Sequence, residues 1–185
     1  MSLSRRGRYH SLLLALVVLV VGGVSAPSHA LELKPGRYSF GLSGGFSNRH
    51  VNVGGSFGYV LEYGFQPTLS IGYGYRNEGS FDTHQVRTTL ELRWYAPLSG
   101  RFTPYLSIEG SHAYMAWDVP TLSEEHNLFL VGGGGGLVVF FNDSIGLQFG
   151  VFVGAWVGAD DRLYDLGVID EAPVVTGRFG IIFLL

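Results

Sequence analysis

The sequence predicts an all-β protein, an eight-stranded antiparallel up-and-down transmembrane β-barrel, on three observations. Side chains alternate in character through eight successive segments, as they must where neighbouring residues of a strand point to opposite faces of a sheet. The connections between segments alternate between short and long. Charge is scarce, at 15% of residues against roughly 25% in soluble domains, while aromatics reach 14% and glycine fills 28 of 185 positions.

The first segment, 36–46, sets Tyr38, Phe40, Leu42 and Phe46 against Arg37, Ser39, Gly41 and Ser43. The second, 53–63, sets Val53, Phe57, Tyr59, Leu61 and Tyr63 against Ser56, Gly58 and Glu62. The third, 68–76, sets Leu69, Ile71, Tyr73 and Tyr75 against Ser70, Gly72 and Gly74. In the fourth, 86–95, Val86, Thr88, Leu90, Leu92 and Trp94 alternate with Arg87, Thr89, Glu91, Arg93 and Tyr95, so one face is apolar and the other ionic.

The fifth, 104–115, alternates Leu106, Ile108, Gly110, His112 and Tyr114 with Tyr105, Ser107, Glu109, Ser111 and Ala113. The sixth, 128–141, is apolar on both parities and holds the run Gly132 to Gly136, so the pattern leaves its phase open. The seventh, 145–157, sets Ile145, Leu147, Phe149, Val151, Val153 and Val157 against Gly146, Gln148, Gly150 and Gly154. The eighth, 174–185, sets Val175, Phe179, Ile181, Phe183 and Leu185 against Thr176, Arg178 and Gly180.

Segments of this length suit tilted membrane strands. The connections 64–67, 96–103 and 142–144 are short, and 47–52, 77–85, 116–127 and 158–173 are mostly longer. This fits periplasmic turns and external loops with both termini on the periplasmic side. Hydrocarbon offers no partner for backbone N–H and C=O groups, so a spanning sheet must close on itself, and an even strand count allows it. Tyr63, Trp94 and Phe183 at one rim and Tyr75 and Tyr114 at the other are expected to form aromatic girdles. A lipocalin-like soluble barrel or a sandwich would reverse the faces, yet the Gly/Ser/Thr-rich face carries too little charge for a solvated surface.

Residues 1–30 read as a signal peptide, with Arg5, Arg6 and Arg8, the apolar stretch 12–24, and Ser28-His29-Ala30 as a small-x-small site cleaved after Ala30. The barrel domain is then 31–185. No cysteine is present, so no disulfide supports the exported chain. Without the leader the charge is 9 basic against 15 acidic residues, which makes nucleic acid an unsuitable partner.

The chain from Leu31 to Leu185 resembles the small outer-membrane β-barrels of the OmpA and OmpX type. The resemblance rests on Thr103-Pro104-Tyr105-Leu106 at the entry to the fifth strand, the glycine-rich sixth strand followed by Asn142-Asp143-Ser144, and the C-terminal strand 177–185. It implies a bacterial outer-membrane location, lipid and lipopolysaccharide as surroundings, and recognition by the barrel assembly machinery through Phe179, Ile181, Phe183 and Leu185. The family's signal commonly ends in Phe, and here it ends in Leu185. A monomer with no cofactor is expected.

The inward parity collects Arg37, Glu62, Arg87, Glu91, Arg93, Glu109 and Arg178. Buried charges persist when paired and hydrogen-bonded, and an eight-stranded lumen is narrow enough to be filled by side chains. A structural ionic plug is therefore expected. The function that follows is structural or surface-interacting, with a narrow solute transporter and a lipid-modifying barrel enzyme as alternatives.

No catalytic or metal site is expected. Ser111 and His112, two residues beyond Glu109, are adjacent and so face opposite sides of the sheet, which precludes the nucleophile–base hydrogen bond. His50 and His84 are expected in external loops with no catalytic neighbours. Asp118, Glu124 and Glu125 in the third loop, and Asp160, Asp161, Asp165, Asp170 and Glu171 in the fourth, make an acidic exterior whose spacing matches no Ca²⁺ loop. The glycine run is no nucleotide loop, because Leu137 stands where a G-x-G-x-x-G frame from Gly132 needs Gly and no Lys follows.

Overall fold

In the computed structural model the eight strands pair in chain order and close into one antiparallel barrel. It describes residues 34–46, 51–77, 82–96, 101–119, 122–159 and 173–185. The leader, His50 and the acidic residues of the fourth loop lie outside the described residues. The strands are β1 (Tyr38–Phe46), β2 (Val51–Tyr59), β3 (Phe65–Asn77), β4 (Asp82–Tyr95), β5 (Phe102–Val119), β6 (Leu122–Phe140), β7 (Ile145–Val157) and β8 (Val174–Leu184). Closure is direct, with β1 paired to β8 from Ser39↔Leu184 to Phe46↔Gly177.

The stagger of the ladder sets the bore. Following the register from Pro104 through Leu137, Phe149, Phe179, Gly44, Val53, Tyr73 and Val86 returns to β5 at Tyr114, ten residues further along. With a rise of about 3.3 Å per residue and strands about 4.7 Å apart, that stagger inclines the strands by about 40° and gives a backbone radius of about 8 Å. Such a bore admits side chains but no wide water column.

The expected parity holds along the strands wherever alternation is readable, and fails only where the second segment, expected to run to Tyr63, leaves the sheet after Tyr59. Leu42, Ile71, Leu90, Leu106, Ile108 and Phe179 point outward and are exposed, while Ser39, Thr89, Glu91, Arg93, Ser111 and Thr176 are buried inside. A soluble barrel would show the opposite. The open phase of the sixth segment is settled by burial: Leu128, Leu130, Val138 and Phe140 point inward, Phe129 and Val131 outward, and Gly132, Gly134 and Gly136 share the inward parity.

The strands at the loop end are longer than expected. β3 reaches Asn77, β4 begins at Asp82, and β5 and β6 run 18 and 19 residues as one hairpin. Asp118, Glu124 and Glu125 thus belong to strands rather than to a loop, and His84 sits on β4. At the inclination above, β5 rises about 45 Å, well beyond an apolar band of about 25 Å.

The opposite end, where β1 begins and β8 ends, turns tightly. After β2 the chain makes a single 3₁₀ turn, Glu62–Gly64, in which Tyr63 takes φ 60° and Gly64 φ 77°. A Cβ on Gly64 would lie 2.6 Å from the Tyr95 carbonyl oxygen, so glycine is required there on two counts.

Candidate functional site

The lumen is the candidate site, and it is built in layers. At the terminus end seven side chains from five strand ends form one buried cluster: Val60, Tyr95, Tyr105, Val138, Phe140, Ile182 and Leu184. A hydrogen-bonded chain crosses beside it, Tyr95 Oη donating to Gln66 Oε1 at 2.8 Å and Gln66 Nε2 donating to Ser39 Oγ at 2.5 Å.

Above the cluster lie the ion pairs. Arg93 Nη2 donates to Glu91 Oε2 at 2.8 Å, and Arg93 Nη1 to Gln148 Oε1 at 2.9 Å. Gln148 Nε2 donates in turn to Tyr105 Oη at 2.9 Å. Arg178 grips Glu109 with both nitrogens, at 2.5 and 2.7 Å. This fork-on-carboxylate geometry is the strongest form of the pair.

The glycines of β6 and β7 make these pairs possible. Gly136 stands opposite Gly150 and Gly132 opposite Gly154 in the ladder. A Cβ on Gly136 would meet Tyr105 Cε1 at 2.8 Å, and one on Gly154 would meet Phe152 Cζ at 2.6 Å. Each bare glycine pair thus leaves the room into which a ring packs. The rings then carry arginines: Arg93 lies over Tyr105 at 5.6 Å and Arg178 over Phe152 at 4.6 Å, a cation–π contact that partly replaces lost hydration. The glycine run has a packing role, and the sequence signal for it is the recurrence of Gly at alternate positions of two neighbouring segments.

Of the seven residues expected to form the ionic cluster, Arg87, Glu91, Arg93, Glu109 and Arg178 line the lumen, and two do not. Glu62 lies exposed in the 3₁₀ turn, because the chain leaves the sheet after Tyr59 and alternation no longer governs it. Arg37 precedes β1 at the rim, where Nη1 donates to the Asp143 carbonyl at 2.6 Å and Nη2 to the Leu184 carbonyl at 2.9 Å. It ties the β6–β7 turn to the end of β8. Gln66 and Gln85, both buried inside, escape sequence reasoning because they fall in stretches that read as connections.

Ser111 and His112 separate as parity requires. Ser111 Oγ shares a 2.8 Å hydrogen bond with Thr89 Oγ1 inside, and His112 Nε2 faces Asn127 Oδ1 at 3.0 Å outside. His84 is also outside, 2.5 Å from Tyr73 Oη. In the C-terminal strand Phe179, Ile181 and Leu185 are exposed on the outer face and Phe183 is half-buried there.

These features define the fold of the small eight-stranded outer-membrane β-barrels. The N-terminal β-barrel domain of Pseudomonas aeruginosa OprF superposes with a TM-score of 0.64 at 16% identity, covering 82% of this chain and 98% of that one. Neisserial surface protein A gives 0.57 at 12% identity over 80% and 94%. A major outer membrane protein from Thermus thermophilus gives 0.56 at 12% over 80% and 99%. At such identities the likeness is one of fold. No protein-family model and no curated protein matches the sequence.

Proposed function

We propose that this protein is a non-enzymatic outer-membrane barrel with a structural and surface-interaction role, whose lumen passes no solute. The observation that carries the reading is the buried cluster of Val60, Tyr95, Tyr105, Val138, Phe140, Ile182 and Leu184 beneath two ion pairs. A solute descending the bore would have to break the charge pairs and then part an apolar seal. The protruding β5–β6 hairpin supports the surface role, since it carries chain far beyond the band that lipid can cover.

The separation of Ser111 from His112 supports the non-enzymatic part. The chain is read as a monomer in lipopolysaccharide and phospholipid, inserted by the barrel assembly machinery through Phe179, Ile181, Phe183 and Leu185.

Planar-bilayer recording on the purified protein tests the closed lumen. Baseline current is expected, and steady unitary conductance overturns the reading. Mass spectrometry of lipid A from cells with and without the protein tests the rest, and an altered acylation pattern would replace the structural role with an enzymatic one.

A further inference from the structure

Among the described residues, two of the three arginines in the ionic layer are ion-paired and the third is not. Arg93 has Glu91 and Arg178 has Glu109. Among the described residues Arg87 makes one long hydrogen bond, Nη2 to Gln85 Oε1 at 3.4 Å, and it lies over the Trp156 ring at 5.7 Å. Gln85 is only 5% exposed, and among the described residues its Nε2 donor has no hydrogen-bond partner. A buried donor left unmade costs about 1–3 kcal/mol, so the Gln85 amide nitrogen, beside a guanidinium held by one long hydrogen bond, calls for an acceptor.

The space for an acceptor is present. The side of the bore formed by β1 to β3 carries small residues, and a cavity of about 100 Å³ lies between Ser43, Asn52 and Ser70 on that side and Gln85, Arg87 and the paired Glu91, Arg93 and Arg178 on the other. This is about three water volumes, room for a phosphate or an acetate and little more.

We infer that Arg87 and Gln85 form a binding site for a small oxyanion, a phosphate or carboxylate group, in the loop-side half of the lumen. The guanidinium supplies charge and a planar pair of donors matched to two oxygens of one anion. Gln85 Nε2 supplies a third donor, and Asn52, Ser43 and Ser70 face the remaining oxygens. The anion enters from the loop side and stops at the ion pairs, so occupancy is compatible with a lumen that conducts nothing.

The native barrel, extracted in a nonionic detergent, is titrated with sodium phosphate and separately with sodium acetate, against a sodium chloride series of equal ionic strength. Tryptophan emission and the thermal unfolding midpoint are both read. A saturable response with a dissociation constant on the order of millimolar is expected, at least tenfold weaker in Arg87→Gln and several-fold weaker in Gln85→Leu. Trp156→Phe is expected to lose the optical signal and keep the midpoint shift. Saturation by phosphate alone or by acetate alone identifies which oxyanion the site takes. An equal response to chloride, no saturation by either oxyanion, or undiminished binding in Arg87→Gln overturns the site. If Arg87→Gln does not fold, undiminished binding in Gln85→Leu overturns it.

Discussion

Glu91 and Glu109 stand directly opposite one another across the β4–β5 ladder, two carboxylates in one register position of a narrow bore. Like charges so placed destabilise a strand pair, and the structure resolves the conflict by sending each to a different arginine. Glu91 pairs with Arg93 two residues along its own strand, and Glu109 with Arg178 on β8. The repulsion is thereby relieved, and the Glu109–Arg178 pair cross-links β5 to β8 through the interior.

Breaking that cross-link exposes both problems together. Glu109→Gln leaves the Arg178 fork without its carboxylate, and removal of one partner of a buried pair costs about 3–5 kcal/mol. The lower end is expected, about 3 kcal/mol, because the Arg178 side chain retains 23% exposure. Urea unfolding in lipid vesicles measures it. Glu109→Gln with Arg178→Gln is expected to recover part of the loss, giving a coupling of at least about 1 kcal/mol in the double-mutant cycle. A strictly additive cycle would show that the pair contributes nothing.

Phe140 is 1% exposed within the terminus-end cluster. Phe140→Ala removes the ring from a packed site, at a cost of about 3–5 kcal/mol, and the cavity it leaves lies within the terminus-end cluster. Lower resistance to urea is expected, together with brief current openings absent from the native protein. Unchanged stability would place the ring outside the packed interior.

The glycines should divide by face. Gly136 lies under the Tyr105 ring, and its added Cβ would also press on the Phe149 carbonyl and on Gly150. Because those contacts are backbone and a packed ring, Gly136→Ala is expected to lower stability by about 2 kcal/mol or more. Gly110 points outward with nothing within 4 Å of an added Cβ. Gly110→Ala is expected to be neutral or to stabilise by about 0.5–1 kcal/mol, the usual gain on replacing glycine within a strand. Equal effects at the two sites would contradict the assigned phase of β6.

How much of this was legible follows from what alternation encodes. Leu90 and Glu91, or Ile108 and Glu109, differ so sharply in polarity that face and strand are read together. In β6, Leu128 to Val131 are apolar on both parities and the next five residues are glycine, so no contrast exists to read. Alternation also carries no mark of where a strand stops. Glu62 has the right parity for the lumen, but β2 ends at Tyr59 and Glu62 already belongs to the 3₁₀ turn. Gln85 was hidden for the opposite reason: β4 continues beyond the residues whose pattern is pronounced. The pairing of Arg178 with Glu109 joins residues far apart in sequence and is set by the ten-residue stagger, which no single segment records.

The apolar exterior makes the last prediction the most discriminating one. Leu90 and Ile108 are 68% and 65% exposed midway along neighbouring strands, where water would penalise them and hydrocarbon would not. An arginine on the lipid face of a barrel costs about 2–4 kcal/mol at the bilayer midplane and little near the interfaces. Leu90→Arg is therefore expected to destabilise by about 2–4 kcal/mol in vesicles. Phe46→Arg, at the loop end of β1, should cost under about 1 kcal/mol. The same pair compared by urea unfolding in vesicles of shorter and longer acyl chains extends the test: the Leu90→Arg cost should persist in both, while the Phe46→Arg cost should rise as the thicker bilayer reaches that position. If Leu90→Arg proved neutral, the outer face would be in contact with water, and the membrane-spanning assignment would fail with it.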